Sequence, residues 1–267
     1  MNKTFRHISS AVLGIVVFLF WWLFYPYALS FQEQNQLFLF TWDYFSERIS
    51  LSGGLADYIA EFITQFSYIP YLGEALLAVV FVIFQKAIAL SIDRDEWYVL
   101  SFVAPVMMLV YMSDIYVMLS YLVALIAAVL LCALYRRHPG IIGAGIATVL
   151  GYWLIGPAIF VFTLFAVIRE RNCKSLILIA LSVIVVVASR LTYLQQYPWK
   201  TVIFGINYYR LPITVPVMQL IIAGVAALIP SFADLLPKPR RIVDISLGLL
   251  ILTGGIAGCW LNYEKDV

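Results

Sequence analysis

Residues 72–92 read LGEALLAVVFVIFQKAIALSI, and the charged residues DRDE follow at 93–96. A transmembrane α-helix needs about 20 consecutive, predominantly apolar residues to cross the roughly 30 Å hydrocarbon core of a bilayer. The run has that length, and its only charged residues are Glu74 near one end and Lys86, which can snorkel toward the other. The stretch therefore predicts a membrane-spanning helix.

The rest of the chain repeats this pattern. Its residues are 63% hydrophobic and 12% charged, with a mean hydropathy of +0.95, whereas a soluble domain carries about 25% charged residues. Only lipid can cover so much apolar surface, so we predict an all-α polytopic membrane helix bundle with about nine transmembrane helices, forming a single domain over residues 1–267. The predicted spans are 8–31, 72–92, 97–112, 115–134, 140–155, 157–168, 175–188, 213–229 and 242–261.

Two parts of the chain allow more than one assignment of spans. Residues 140–168 are too long for one ordinary span, and Gly156 followed by Pro157 predicts a break, so we expect a hairpin of two short helices. Ala28, Leu29 and Ser30 resemble a signal-peptide cleavage site. The apolar core before them is longer than the 7–15 residues of a signal peptide, which favours an uncleaved anchor.

The distribution of Lys and Arg predicts an orientation. With the amino terminus inside, eleven of the seventeen bases lie in inner segments and five in outer ones, while Lys86 lies within a span. The positive-inside rule therefore favours a cytoplasmic amino terminus and a periplasmic carboxyl terminus in a bacterial inner membrane. Both long loops, 32–71 and 190–212, then face outward.

Several functional classes are excluded by what the sequence lacks. Cys132, Cys173 and Cys259 have no spacing that suits a metal site or a disulfide framework, and His7 and His138 flank membrane edges. The sequence contains no phosphate-binding glycine loop, nucleophile elbow or HExxH motif. We therefore predict no metal site and name no cofactor. The bases form short clusters, so the predicted partner is the lipid bilayer and not nucleic acid.

The first outer loop contains an amphipathic pattern. From Leu55 to Phe66, apolar residues recur at helical spacing, and Asp57 and Glu61 stand on the opposite face. This spacing predicts a helix that lies flat at the membrane interface or caps the bundle. We expect its two carboxylates to point toward water.

Three other acidic residues are candidates for chemistry. Asp43 is the only charge in LFLFTWDYF at residues 37–45, Glu33 lies at the membrane edge, and Asp114 occupies a minimal outer turn between two spans. A carboxylate among aromatic residues at a membrane surface is either exposed at the rim or placed there for a function. Turn formation alone would also explain Asp114.

Two segments of the first loop carry a family resemblance. The sequences QEQNQLFLFTWDYF at 32–45 and GGLADYIAEFITQF at 53–66 resemble those of uncharacterised multi-pass inner-membrane proteins from Bacteroidetes-type bacteria. The resemblance covers most of the chain and implies no established activity. Members usually continue into a soluble helical-repeat domain, so the resemblance implies either a short member or the membrane half of a longer one.

The arrangement of spans and loops also resembles that of membrane-embedded glycosyltransferases that use polyprenyl-phosphate sugars. That resemblance implies two catalytic carboxylates. One is Asp43 or Glu33 in the first long loop, and the other is Asp114 in the short outer turn between two spans. The resemblance also implies phosphate contacts from the second long loop and an aromatic surface for the sugar, from Arg190, Lys200, Arg210 and Trp199. The paired Asp-Glu or Asp-x-Asp usual in those enzymes is missing here.

Two further classes stay open. A non-enzymatic scaffold would anchor an envelope protein through the outer loops, and Gly254 and Gly258 offer a small-residue face for helix packing. A transporter would use broken spans such as Gly151–Pro157 to line a site at mid-membrane. Intramembrane charge is nearly absent, which weighs against a proton-coupled carrier.

Overall fold

A computed structural model describes residues 3–25, 27–114, 116–170, 175–204, 217–239 and 241–266. Within these ranges the fold is all-α without a β-strand, which confirms the predicted helix-bundle class. The α-helices are α1 (Lys3–Phe24), α2 (Ala28–Asn35), α3 (Trp42–Ile49), α4 (Gly54–Thr64), α5 (Leu72–Ile92), α6 (Val103–Met112), α7 (Leu119–Arg137), α8 (Ile141–Ile155), α9 (Ile159–Glu170), α10 (Leu176–Thr192), α11 (Trp199–Phe204), α12 (Val217–Phe232) and α13 (Arg241–Asp266). Short 3-10 helices occupy Gln65–Tyr68, Asp95–Phe102, Gly156–Ala158 and Ala233–Leu235.

Six stretches of the described chain are long and apolar enough to cross a membrane. The buried share of their most apolar part ranges from 22% in α1 to 56% in Leu72–Ile92 and Ile141–Glu170, so a large part of each stretch faces outward. The six are Thr4–Phe24, Leu72–Ile92, Asp95–Met112, Leu119–Arg137, Ile141–Glu170 and Val217–Leu235, and Leu176–Thr192 and Ile245–Leu261 are shorter apolar helices. The prediction of nine crossings also counts these two short helices and divides Ile141–Glu170 in two.

The first helix is shorter at its end than the predicted span 8–31. It stops at Phe24, and a separate helix, α2, starts at Ala28. The sequence has proline at position 26, and a residue that precedes proline is disfavoured in the helical region. Residues 28–31 therefore belong to the loop that follows the span.

Ionic contacts bring one end of six segments together. Arg136 at the end of α7 pairs with Asp234 after α12 and lies 3.9 Å from Asp93 after α5. Arg169 of α9 binds the same Asp234 at 2.9 Å, and Arg6 of α1 pairs with Asp95. We call this the basic end. The opposite end, which carries α2, α3, α4 and α11, is called the loop end.

Helices α8 and α9 form a tight hairpin whose tip lies at the loop end. Gly156 separates them with φ +66°, a conformation that glycine adopts without the steric penalty of a side chain. The hydroxyl oxygens of Thr148 and Thr163 are 3.2 Å apart, which is possible only if the two helices run antiparallel. The space that a side chain at Gly151 would need is occupied by Ile159.

The centre of the bundle is formed by α5 and α7, which carry fully buried side chains such as Phe81, Phe84, Leu122 and Leu125. One polar network joins α5 to α1 and to the 3-10 helix Asp95–Phe102. Gln85 of α5 accepts a hydrogen bond from Ser10 of α1 at 2.8 Å and donates one to Ser101 at 2.6 Å. Because lipid offers no partner, the polar atoms of a span are satisfied by other spans.

Glycines let α13 approach α6 closely. An ideal Cβ atom at Gly255 would lie 2.5 Å from Val106, and one at Gly258 would lie 2.9 Å from Val110. Gly254 has no atom within 4 Å of its Cβ direction. Of the pair expected from the sequence, Gly258 therefore contacts a helix of the bundle and Gly254 does not.

We expect Gly255→Ala to destabilise the packing of α13 by about 1–3 kcal/mol, because the added methyl group meets Val106. Unfolding by a denaturing detergent, followed by fluorescence, would measure the effect. Gly254→Ala is the matched control, since it makes the same change one residue away in open space. Equal stability of the two variants would contradict the packing described here.

Candidate functional site

The three expected catalytic acids occupy separate surroundings. Asp43 is exposed in the first turn of α3, where a carboxylate stabilises the helix amino terminus. Asp114 is also exposed, and its Oδ1 accepts the backbone N–H of Tyr116 at 3.0 Å, which closes the turn before α7. Both residues therefore have a local structural role.

Glu33 lies half-buried on α2, beside the turn that contains Asp114. The two segments meet because the side-chain amide of Gln32 donates to the carbonyl of Val117 at 3.0 Å. Among the described residues, no ion pair or side-chain hydrogen bond joins Glu33, Asp43 and Asp114. The expected set of catalytic acids does not form a site of its own.

The expected substrate-binding residues are partly brought together. The guanidinium of Arg190, at the end of α10, lies over the ring of Trp199 at 5.6 Å from its centroid. Its Nε is buried and finds no acceptor in the part of the chain that the structure describes. Lys200 is exposed beside Trp199, and Arg210 lies outside the described residues.

Helix α4 faces the opposite way from the sequence prediction. The side chains of Ala56 and Ala60 are buried, whereas Ile59 and Phe62 of the apolar stripe keep 40% and 36% of their surface exposed. The prediction that Asp57 and Glu61 point toward water is therefore wrong. In a membrane protein, small residues permit close helix packing and polar residues find partners inside the bundle.

Aromatic side chains from residues 38–45 cover the outward face of α4. The ring of Phe38 lies 4.9 Å from that of Tyr58 and 5.5 Å from that of Phe62. Phe40 also reaches Phe62, at 5.7 Å. The aromatic run and the apolar stripe thus form one surface at the loop end.

Glu61 is held in a buried ion pair. Its Oε2 accepts from Arg48 Nε at 2.9 Å and from the hydroxyl of Tyr44 at 2.6 Å. Arg48 also donates to the oxygen of Tyr44 at 2.9 Å. Burial and the hydrogen bond to Glu61 raise the pKa of Tyr44 to about 12. This cluster ties α3 to α4.

Asp57 lies in a small cavity where five parts of the chain meet. The volume is about 30 Å³, which is enough for one or two water molecules. α4 and α7 supply its polar wall with Asp57 and Ser120, while Phe204 of α11 and Gln219 of α12 close another side. The remaining wall is the hairpin tip, together with Ser52, Gly53, Ala56, Tyr121 and Ala124.

Backbone contacts between the first loop and the hairpin build this cavity. The N–H of Gly53 donates to the carbonyl of Trp153 at 2.8 Å. The hydroxyl of Ser52 donates to the backbone carbonyl of Tyr152 at 2.7 Å. Gly53 has φ +88°, and a Cβ atom added to it would lie 3.5 Å from the backbone of Gly156. A side chain at Gly53 would be strained by this backbone conformation.

The second loop is fixed to the same place. The hydroxyl of Tyr152 donates to the carbonyl of Val202 in α11 at 2.8 Å. The hydroxyl of Tyr121 donates to the backbone carbonyl of Gln219. The side-chain amide of Gln219 donates to the backbone carbonyl of Phe204 at 3.1 Å. The segment that begins with Trp199 therefore ends at the Asp57 cavity.

The surroundings of Asp57 favour its neutral form. Burial, followed by the charge of Glu61 one helical turn away, raises the pKa of Asp57 from 3.8 to about 7. A hydrogen bond from Ser120 and the positive charge of Arg48 oppose the rise. Near neutral pH the carboxyl can therefore both accept and release a proton, as a general acid or base must.

Residues 2–265 match a family of unknown function, DUF6057. The chain belongs to this family. The match confirms the expectation of an uncharacterised family over nearly the whole chain. No curated protein and no solved structure matches it.

Sequence reasoning did not select Asp57, although the signal was present. Gly53, Gly54, Ala56 and Ala60 lie on the face of α4 that also carries Asp57. Small residues mark the packed face of a helix in a membrane protein, whereas the prediction applied the pattern of a helix in water. Ser120 gave no signal, because only the packing of α4 on α7 brings it to Asp57.

The raised pKa of Asp57 predicts a pH-dependent stability. Between pH 4 and 7 the folded protein keeps a proton that the unfolded chain releases, so the free energy of unfolding falls with rising pH, by up to about 4 kcal/mol. An asparagine at this position cannot ionise. We therefore expect Asp57→Asn to abolish the decrease in the free energy of unfolding between pH 4 and 7. Detergent-induced unfolding at several pH values would measure it. Asp43→Asn is the control, because that carboxylate is exposed.

The ion pair of Glu61 predicts a second effect on stability. Side chains of Glu61 and Arg48 are only 11% and 13% exposed, so Glu61→Gln removes the carboxylate that pairs with a buried guanidinium and costs about 3 kcal/mol. Glu47→Gln removes an exposed carboxylate beside Arg48, and we expect a change within about 0.5 kcal/mol. The same unfolding assay compares the two, and similar losses in both would contradict the role assigned to Glu61.

Proposed function

We propose that this protein is a glycosyltransferase-like enzyme that acts on a lipid-linked sugar at the loop end of the bundle, with Asp57 as its base. The observation that carries the proposal is the Asp57 cavity, where an ionisable carboxyl meets segments of both long loops. Asp57 takes the role first expected of Asp43, Glu33 and Asp114. It still belongs to the first outer loop, as the architectural resemblance requires.

The proposed step is a transfer of the sugar from phosphate to an acceptor hydroxyl. The acceptor oxygen attacks the anomeric carbon, its proton passes to Asp57, and the bond to the phosphate oxygen breaks with its electron pair leaving on the phosphate. A cavity of about 30 Å³ admits a hydroxyl group and excludes a sugar ring, so the donor would lie at its rim. Ser120, hydrogen-bonded to Asp57, would orient the carboxyl.

The second long loop supports the donor side of the proposal. A leaving phosphate needs positive charge, and the buried Nε of Arg190 has no acceptor among the described residues. Helix α11 carries Trp199, which offers an aromatic face for a sugar. It also carries Lys200, which adds a second cation to that of Arg190 on α10. The proposed phosphate partners include Arg210, on sequence grounds alone.

The proposed location follows from the distribution of charge. The basic end would face the cytoplasm and the loop end the periplasm, with the amino terminus inside and the carboxyl terminus outside. The host would be a Bacteroidetes-type bacterium, and the membrane would be its inner membrane. Lipid-linked sugars of the cell envelope would then reach the Asp57 cavity from the outer leaflet.

The test is complementation of a deletion strain, with surface glycan and lipid-linked sugars measured by mass spectrometry. We expect Asp57→Asn to lose at least 100-fold of the glycan at a normal protein level, because a general base contributes about 10²–10⁴-fold. Asp43→Asn and Asp114→Asn should retain it. Normal glycan with Asp57→Asn would overturn the proposal.

A scaffold is the second candidate, because the loop end exposes large apolar side chains. Leu37, Phe40 and Trp42 are each at least 74% exposed, in line with docking of an envelope protein. A scaffold predicts a co-purifying protein that is retained with Asp57→Asn and lost when Phe40 and Trp42 are changed to Ser. Proton-coupled flux in vesicles that depends on Asp57 would instead favour a transporter.

A further inference from the structure

A second cavity lies at the basic end of the bundle, opposite the loop end. It occupies about 340 Å³ between α1, α5 and the 3-10 helix Asp95–Phe102. Its polar lining is unusually rich in charge for a membrane protein, and comprises Arg6, His7, Lys86, Asp93, Arg94, Asp95 and Tyr98. We call it the basic cleft.

Most of the charges around the basic cleft already have partners. Arg6 pairs with Asp95, and Asp93 lies 3.9 Å from Arg136. Arg94 donates to the backbone carbonyls of Ala233 and Leu236 at 2.6 and 2.7 Å and also approaches Glu96 at 3.5 Å. These contacts hold the segments of the basic end together.

Lys86 is the exception. Lys86 is a partly buried residue of the span α5, and no carboxylate in the described chain lies within ion-pair distance of its ammonium. Its one polar contact within the described residues is with the hydroxyl of Tyr98 at 3.4 Å, and it also lies 5.8 Å from the centroid of that ring. An ammonium has three donors, and among the described residues only the hydroxyl of Tyr98 accepts from it.

The hydroxyl of Tyr98 satisfies Lys86 only weakly, because 3.4 Å is long for a hydrogen bond. It donates to the carbonyl of Arg6 at 3.0 Å and lies 2.8 Å from the hydroxyl of Ser10. A charge in a membrane span without a counter-ion is costly, and an anion in the cleft would remove that cost.

The cleft opens toward the lipid-facing surface of the bundle. Leu90 lines it and is 49% exposed, and Ile8 and Phe5 on α1 are exposed beside it. On α5, Ile83 continues this apolar surface away from the charged end. A ligand that matches both features has an anionic headgroup and an apolar tail.

We infer that the basic cleft binds an anionic phospholipid, with its phosphate on the ammonium of Lys86 and its acyl chains along the exposed faces of α1 and α5. Such pockets between membrane helices are suited to lipid headgroups, because they combine cations with a lipid-facing opening. This site is separate from the Asp57 cavity, and lies at the other end of the bundle.

The test uses the full chain, delipidated in a neutral detergent, with phosphatidylglycerol binding measured by native mass spectrometry. We expect Lys86→Gln to weaken binding about tenfold, because one charge-assisted contact is lost, and Lys86→Arg to retain it. Arg137→Gln is the matched control, since it removes an exposed charge from the same end outside the cleft. Equal weakening in both variants, or none in Lys86→Gln, would overturn the site.

Two further arms identify the ligand. Phosphatidylcholine should bind less tightly than phosphatidylglycerol and lose little with Lys86→Gln, and equal binding of the two lipids would overturn the anionic assignment. Inorganic phosphate that binds with the same dependence on Lys86, in the absence of lipid binding, would overturn the lipid assignment. If Lys86→Gln does not fold, cross-linking of photoreactive phosphatidylglycerol to the wild-type protein decides. Cross-links within residues 86–98 support the site, and cross-links spread evenly over the spans overturn it.

Discussion

The scarcity of water around this chain is the constraint on which its other features depend. In a bilayer an apolar face needs no protein partner, whereas a carboxylate or an ammonium does. The orientation of α4 follows from this rule: its aromatic and aliphatic residues face outward, and its small residues pack inside with Asp57 and Glu61. The same rule explains why Gln85 and Ser10 bond across spans.

The two ends of the bundle solve the problem of charge differently. At the basic end, Arg136, Arg169 and Asp234 link the ends of α7, α9 and α12 in a network of ion pairs. At the loop end, Glu61 pairs with Arg48, whereas Asp57 forms no ion pair in the described chain, accepts a hydrogen bond from Ser120 and keeps a raised pKa. A carboxyl that lies in a cavity without an ion-pair partner is suited to proton transfer.

Much of the fold could be predicted from local pattern. Apolar runs of about 20 residues specify spans because hydrocarbon thickness fixes their length, and Gly156 followed by Pro157 marked the place where the chain reverses. The candidate site was predicted less well. Asp43 and Asp114 looked unusual by their neighbours in sequence, yet one sits in a helix amino terminus and the other in an Asx turn. Asp57 was predicted to lie on the water-facing side of α4, because the residues of an amphipathic helix repeat with the same period in water and in lipid.

The sequence by itself determined the helix-bundle class of this protein, since that class depends on the length and polarity of contiguous segments. Only the tertiary structure decided which face of α4 is buried and which residues share a cavity. Asp57, Ser120, Gly156 and Phe204 come from four segments that are far apart in the chain. Their meeting depends on how α4, α7, the hairpin and α11 pack, and no local pattern records that packing.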